Sequence, residues 1–340
     1  MRFVSGSVRA AVGWLVLCAG AAVAETCVTQ SQMPPAERDT LATAAQGLAE
    51  KIQADDAPAI KAITIAEYQS DFAGLAGLIA ATAPRLKAGP LEVEQIYVLD
   101  ASKLAKTASG GNPDAEFFCS LNQSQQSAEF AIPQLPPGRY GFAMVKVANA
   151  APWRVSLLMR QESGKWLLAG LYPKALLAAG HDGLWYWQQA RTLAAAKEPW
   201  NAWLYFEEAQ SLLRPASFVS SSHLDKLQTE LANAAPPAVA GLSQDQPLVV
   251  KGADGTEFRF TQITPDDTIG RDLIDIQAHL KVDALGDAAT ARKRNTDAAA
   301  ALVAAHPELR KAFHGVEIVS DVQGQGQVPY ATEEAMSEIH

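Results

Sequence analysis

Apolar residues change their spacing several times along the chain, and each change marks an element. Leu41, Ala45, Leu48 and Ile52 recur every three or four positions within 36–57, the stripe of an amphipathic helix. After Pro58 a second helical stretch is expected over about 59–86, carrying Ile63, Phe72, Leu75, Leu78 and Ile79; Gly74, Gly77 and Pro84 weaken or end it. The period then shortens. Leu91, Val93, Ile96 and Val98 read as a strand, followed by extended runs at 116–121, 128–132, 140–147, 153–160 and 165–171. Polar turns separate them, among them Gln161-Glu162-Ser163-Gly164, with glycine at a hairpin position. Helices followed by five or six antiparallel strands predict an α+β domain over 36–175, with one sheet face buried against the helices.

The run from Trp153 through Leu157 and Arg160 to Gly164-Lys165-Trp166-Leu167 resembles the closing hairpin of the NTF2-like (SnoaL-like) cone-shaped fold. The resemblance spans roughly 40–175 and implies a curved sheet backed by helices, with a pocket between the two. Some members of that family are enzymes and many are binding modules. The acid–base Asp or His of the catalytic members has no match here, so catalysis does not carry over.

Helical patterning returns over 181–235. Leu184-Trp185-Tyr186-Trp187 opens one helix and Pro199 starts another. In the second, Ala202, Phe206 and Ala209 share a face. The run from Ala202 to Ala209, ending near Pro215, resembles the second helix of a tetratricopeptide-like (TPR-like) hairpin, although the preceding helix has Ala190 where that family closes on glycine. Only one hairpin is visible, with 224–231 as a following helix, whereas stacked solenoids need about three repeats. A helical pair capping the first domain is therefore expected. Residues 236–246, with Pro236-Pro237, read as a linker. A second, small α+β domain over 247–340 follows: strands at 248–250, 258–260, 272–282 and 316–319, a strong helix at 288–305, a short helix from Pro307, and a helical or loose end over 329–339.

Composition adds a destination. Arg2 and Arg9 precede an uncharged stretch ending in Ala22-Val23-Ala24, the form of a signal peptide over 1–24; its apolar part is too short for a membrane span. The expected mature protein begins at Glu25, has no later membrane-spanning segment, and is exported to the periplasm or beyond the cell. The formal charge of the whole chain is −9, from 28 basic and 37 acidic side chains, which excludes the basic footprint that nucleic acid requires. Of three cysteines, Cys18 would leave with the leader; Cys27 and Cys119 remain as a candidate disulfide in an oxidising compartment.

Candidate chemistry is sparse. His181-Asp182 and Ser220-Ser221-Ser222-His223 read as caps and turns, Glu207-Glu208 as a solvated helix face, and Arg292-Lys293-Arg294 as a solvated basic patch. There is no Gly-x-Ser-x-Gly elbow, and the six histidines are dispersed without metal-ligand spacing, so no catalytic residue, metal or cofactor is assigned. The conspicuous feature is aromatic: Trp185, Trp187, Trp200, Trp203 and Tyr205 fall within a short span and cannot all face one core. They serve either interdomain packing or the rim of a partner or ligand groove. The combined expectation is an exported, non-catalytic interaction or scaffolding protein of the cell envelope with a protein partner. The alternative is a small-molecule binding protein or enzyme with a pocket in the N-terminal domain, its ligand not specified by the sequence.

Overall fold

The computed structural model describes residues 25–87, 89–121, 126–239, 242–268, 273–322 and 328–340. The signal-peptide reading of 1–24 lies outside these residues. The fold is α+β, as the alternation of helical and extended patterning implies.

After a short strand β1 (Thr26–Thr29), helix α1 (Pro35–Gln53) begins with proline at its first turn and buries Leu41, Ala45, Leu48, Ala49 and Ile52. The single stretch expected over 59–86 is three helices: α2 (Ala57–Ala62), α3 (Ala66–Gln69) and α4 (Ala73–Leu86). The reason is a competing partner for the backbone. Leu168 donates its N–H to the Ile63 carbonyl and accepts from the Ile65 N–H, at 2.8 and 3.0 Å, so 63–65 is pulled out of helix onto a sheet edge.

The central sheet has the order β1–β2–β5–β6–β7, comprising β1, β2 (Leu91–Asp100), β5 (Arg139–Val147), β6 (Trp153–Glu162) and β7 (Lys165–Ala175), all antiparallel. Its helix-facing side carries Ile96, Val98, Ala143, Val145, Val155, Leu157, Met159 and Leu168, packed on α1 and α4. The intervening β3 (Ala115–Ser120) and β4 (Ser127–Ile132) do not join this sheet. They pair with each other and with β10 (Val219–Ser221) to form a second, smaller sheet. Burial patterns account for the division. Ala115, Phe117 and Cys119 alternate with exposed positions, so β3 has one apolar face and suits an outer layer; β2 and β5 contain runs buried on both faces and suit a middle one. Phe117 and Phe130 meet Tyr97, Leu99, Tyr140 and Phe142 between the two sheets. A disulfide between Cys27 of β1 and Cys119 of β3 joins these layers.

Past the two-residue strands β8 (Leu177–Ala178) and β9 (His181–Asp182), helices α5 (Gly183–Ala195), α6 (Pro199–Leu213) and α7 (Ser222–Ala234) follow. The Asp182 side chain caps α5 and the Ser221 hydroxyl caps α7. At Gly183 a Cβ would stand 2.6 Å from Leu213 Cγ, so glycine permits the close approach of α5 and α6. The C-terminal sheet has the order β11 (Leu248–Lys251), β12 (Glu257–Asp266), β13 (Asp275–Val282), β14 (Gly315–Val322), β15 (Tyr330–Ala335). β13 and β14 are parallel and connected through α8 (Ala288–Ala305); the other neighbours are antiparallel. The chain end expected as helix or coil is the edge strand β15, because β14 offers it a free ladder from Gly315 to Ser320.

The helical pair does not act as a cap on the first domain alone. Leu204, Tyr205, Phe206 and Ala209 of α6 belong to one apolar core with Phe260, Ile276, Leu302, Phe313 and Ile318 of the C-terminal sheet and its helix. α6 is accordingly buried around most of its circumference. Residues 236–246 thus connect parts of a shared core.

Candidate ligand-binding site

A partly open cavity of about 320 Å³ lies between the central sheet, the small sheet and the first turns of α5 and α7. Tyr97, Phe142 and Met144 come from β2 and β5, Ala128 and Phe130 from β4, and Leu184 and Trp187 from α5. Leu213, Val219 and Leu224 complete an apolar wall. The cavity is on the sheet face opposite α1–α4. The space between those helices and the sheet, where the family resemblance implies a pocket, is filled by Leu41, Leu48, Ile52, Ile79 and Leu86. Those side chains recur at helical spacing on one face of each helix, which makes them core.

Three polar side chains reach the cavity: Ser220, Ser221 and His223. Each has another task. Ser220 donates its hydroxyl to Asp225, Ser221 accepts from the Leu224 N–H at 3.2 Å, and the His223 Nε2 lies 3.4 Å from Gln126 Nε2. No serine–histidine hydrogen bond forms among the described residues, so the hydroxyls lack the base that nucleophilic catalysis needs. Burial holds the Tyr97 phenol above its ordinary pKa, which keeps it neutral at the cavity wall.

Of the five aromatic residues expected to form a surface, only Trp187 lines this cavity, and it is nearly buried. Its indole donates to Glu230 at 2.7 Å, and the Arg191 guanidinium stacks 4.6 Å from the ring while pairing with the same carboxylate. Trp185 stacks on His181 at 3.7 Å. Trp200 packs between Trp203 and His306. Tyr205 donates to the Ala312 carbonyl at 2.8 Å and contacts Phe313. Trp200 and Tyr205 are each 4 % exposed and cannot present a partner surface; Trp185 and Trp203 are half-buried against the same core. Trp185, Trp200, Trp203 and Tyr205 therefore serve packing between the helices and the C-terminal sheet, while Trp187 is clamped to α7 and lines the cavity.

Two acidic side chains are buried, one against its sequence reading and one that the sequence did not single out. Glu208, expected on a solvated face, is 6 % exposed; burial, with Asp267 beside it, pushes its carboxyl up to about 7, against the pull of Lys174. It faces the junction of α6 with β7 and the end of β12, and no nucleophile or imidazole meets it there among the described residues. The second is Asp275, wholly buried, with His314 Nδ1 donating to its Oδ1 at 3.0 Å. Neither pairing was visible as a motif, since 208 and 267, or 275 and 314, are separated by whole elements. The basic patch resolves as expected for Arg292 and Lys293, which are exposed, while Arg294 donates to the carbonyls of Ala284 and Leu285.

A second cavity, also about 320 Å³, is lined by Tyr68, Tyr140, Arg160, Tyr172 and Phe218. Its cation is already matched: Arg160 bonds Glu67 through both terminal nitrogens at 2.8 and 2.9 Å and also pairs with Glu162. That saturation disfavours an anionic ligand.

Compared with protein-family models, curated proteins and solved structures, the chain gives no match.

Proposed function

We propose that this chain is an exported, non-catalytic binding protein whose cavity between the central sheet, β4, β10 and α5 holds a small apolar molecule. The observation that carries this reading is the lining of that cavity: twelve aliphatic or aromatic side chains, from Tyr97 to Leu224, against three polar ones already hydrogen-bonded elsewhere. A space of about 320 Å³ has room for roughly ten waters at about 30 Å³ each, and such a wall offers them few partners. Water there is readily displaced by an apolar group. Size and lining both fall in the range of small-molecule sites. The disulfide between Cys27 and Cys119 supports an oxidising destination.

The test is binding of the uncharged fluorophore N-phenyl-1-naphthylamine to the chain from residue 25 onward. Saturable binding at one site per chain is expected. Ala128→Phe, which fills the space, and Leu184→Glu, which places a charge at the exposed rim, should each weaken it at least tenfold. Absence of saturable binding, or folded variants that bind as tightly as the unsubstituted chain, contradicts the proposal.

A further inference from the structure

Away from the cavity, one end of the C-terminal sheet brings together three side chains from three strands. Asp275 opens β13, His314 immediately precedes β14, and Glu333 lies in β15. The parallel register sets Ile276 against Val316, which puts Asp275 level with Gly315; the antiparallel register sets Glu333 against Glu317. One ligating atom from each of Asp275, His314 and Glu333 lies within 4.8 Å of the others.

The Asp275 side chain is 0 % exposed, yet only one of its oxygens is satisfied. Oδ1 accepts from His314 Nδ1, whereas Oδ2 is buried without a hydrogen-bond partner. A buried carboxylate oxygen without a donor is costly, and a second carboxylate within contact range adds repulsion. A divalent cation removes both penalties at once. The nearby His279 provides a contrast. Its Nδ1 bonds Asp321 and its Nε2 bonds Gln277, so both nitrogens are occupied. The His314 nitrogen that faces Asp275 is Nδ1, so an ion held by the three residues takes the place of the proton that now bridges Nδ1 and Oδ1; the His314 side chain is 45 % exposed, which gives that ion a path from solvent.

We infer that Asp275, His314 and Glu333 form a binding site for a divalent transition-metal ion, with Zn²⁺ the preferred common ion. An imidazole with two carboxylates is a borderline donor set that suits Zn²⁺, and three protein ligands leave a position for water. This assignment is independent of the apolar cavity and stands or falls separately from it. Closing the three groups around an ion requires them to approach from 4.8 Å, a movement available to the half-buried Glu333 and the exposed His314.

The chain from residue 25 onward, stripped with EDTA and dialysed, is titrated with ZnCl₂ by calorimetry and with CoCl₂ by visible absorption. One Zn²⁺ per chain with micromolar or tighter affinity is expected, together with a Co²⁺ ligand-field band that Zn²⁺ abolishes. Glu333→Gln and His314→Ala should each weaken Zn²⁺ binding by roughly tenfold or more. His306→Ala, which removes an imidazole elsewhere, should leave it unchanged. Asp275→Asn is read only alongside its melting temperature, because a buried position is altered; the two half-exposed or exposed variants carry the decision. No stoichiometric binding, or an affinity in Glu333→Gln and His314→Ala equal to that of the unsubstituted chain, overturns the assignment.

Discussion

Trp187 donates its indole N–H to Glu230 at 2.7 Å, and that bond fixes one wall of the apolar cavity from outside it. Arg191 completes the clamp by pairing with Glu230 and stacking on the ring. A ligand wall held by a neighbouring helix is pre-formed, so little ordering accompanies binding. Removing the carboxylate by Glu230→Ala should cost about 1–2 kcal/mol. It should also weaken naphthylamine binding several-fold. Urea unfolding and the fluorescence titration check the two effects separately.

The disulfide should matter to both stability and binding. Cys27 and Cys119 are 92 positions apart and connect β1 of the central sheet to β3, the partner of the cavity-lining β4. Cys27→Ser with Cys119→Ser is expected to lower stability by about 2–5 kcal/mol. Because β4 supplies Ala128 and Phe130 to the wall, probe affinity should fall in the same variant at temperatures where it remains folded.

Glu208 makes stability depend on pH in a defined direction. Burial raises its folded-state pKa to about 7; Asp267 and Asp266 add to the rise and Lys174 opposes it. A raised carboxyl pKa means that the folded chain binds the proton more tightly than the unfolded chain. Its contribution is complete below the unfolded value of about 4.5 and is lost as pH rises through about 7. Stability should therefore decline between about pH 5 and pH 8 by roughly 2–3 kcal/mol from this group. Glu208→Gln should flatten that decline and be the more stable protein at the upper end. Urea midpoints of both proteins across this interval provide the comparison.

Much of the fold was legible locally. The Gln161–Gly164 turn marked the β6–β7 hairpin, and Asp182 and Ser221, read as caps, precede α5 and α7 and cap them. What was illegible depended on distant partners. Residues 63–65 leave helix because Leu168 holds both their flanking backbone groups. Residues 330–335 become a strand because β14 has an open edge, a preference that Tyr330-Ala331-Thr332-Glu333-Glu334-Ala335 does not express through apolar alternation. The cavity draws on Tyr97, Phe142, Trp187 and Leu224, which share no segment, so no local pattern encodes it. The aromatic run of α5 and α6 was visible, but its destination required the C-terminal sheet.

That destination has its own consequence. Tyr205 Oη donates to the Ala312 carbonyl from within the shared core. Tyr205→Phe should cost about 1 kcal/mol in global stability. Unfolding followed by tryptophan fluorescence and by circular dichroism should remain one coincident transition for the helices and the C-terminal sheet. Two separated transitions, with the helices melting alone, would show that they do not share a core.

The central claim is that an apolar ligand enters between the two sheets on the side away from α1. Methyl-labelled methionines provide a direct readout, since Met144 lines the cavity while Met159 lies in the helix-side core and Met336 in the C-terminal core. On titration with N-phenyl-1-naphthylamine, the Met144 methyl resonance should shift and saturate while those of Met159 and Met336 stay in place. A stationary Met144 signal at saturating probe, or a shift confined to Met159 or Met336, would contradict the account.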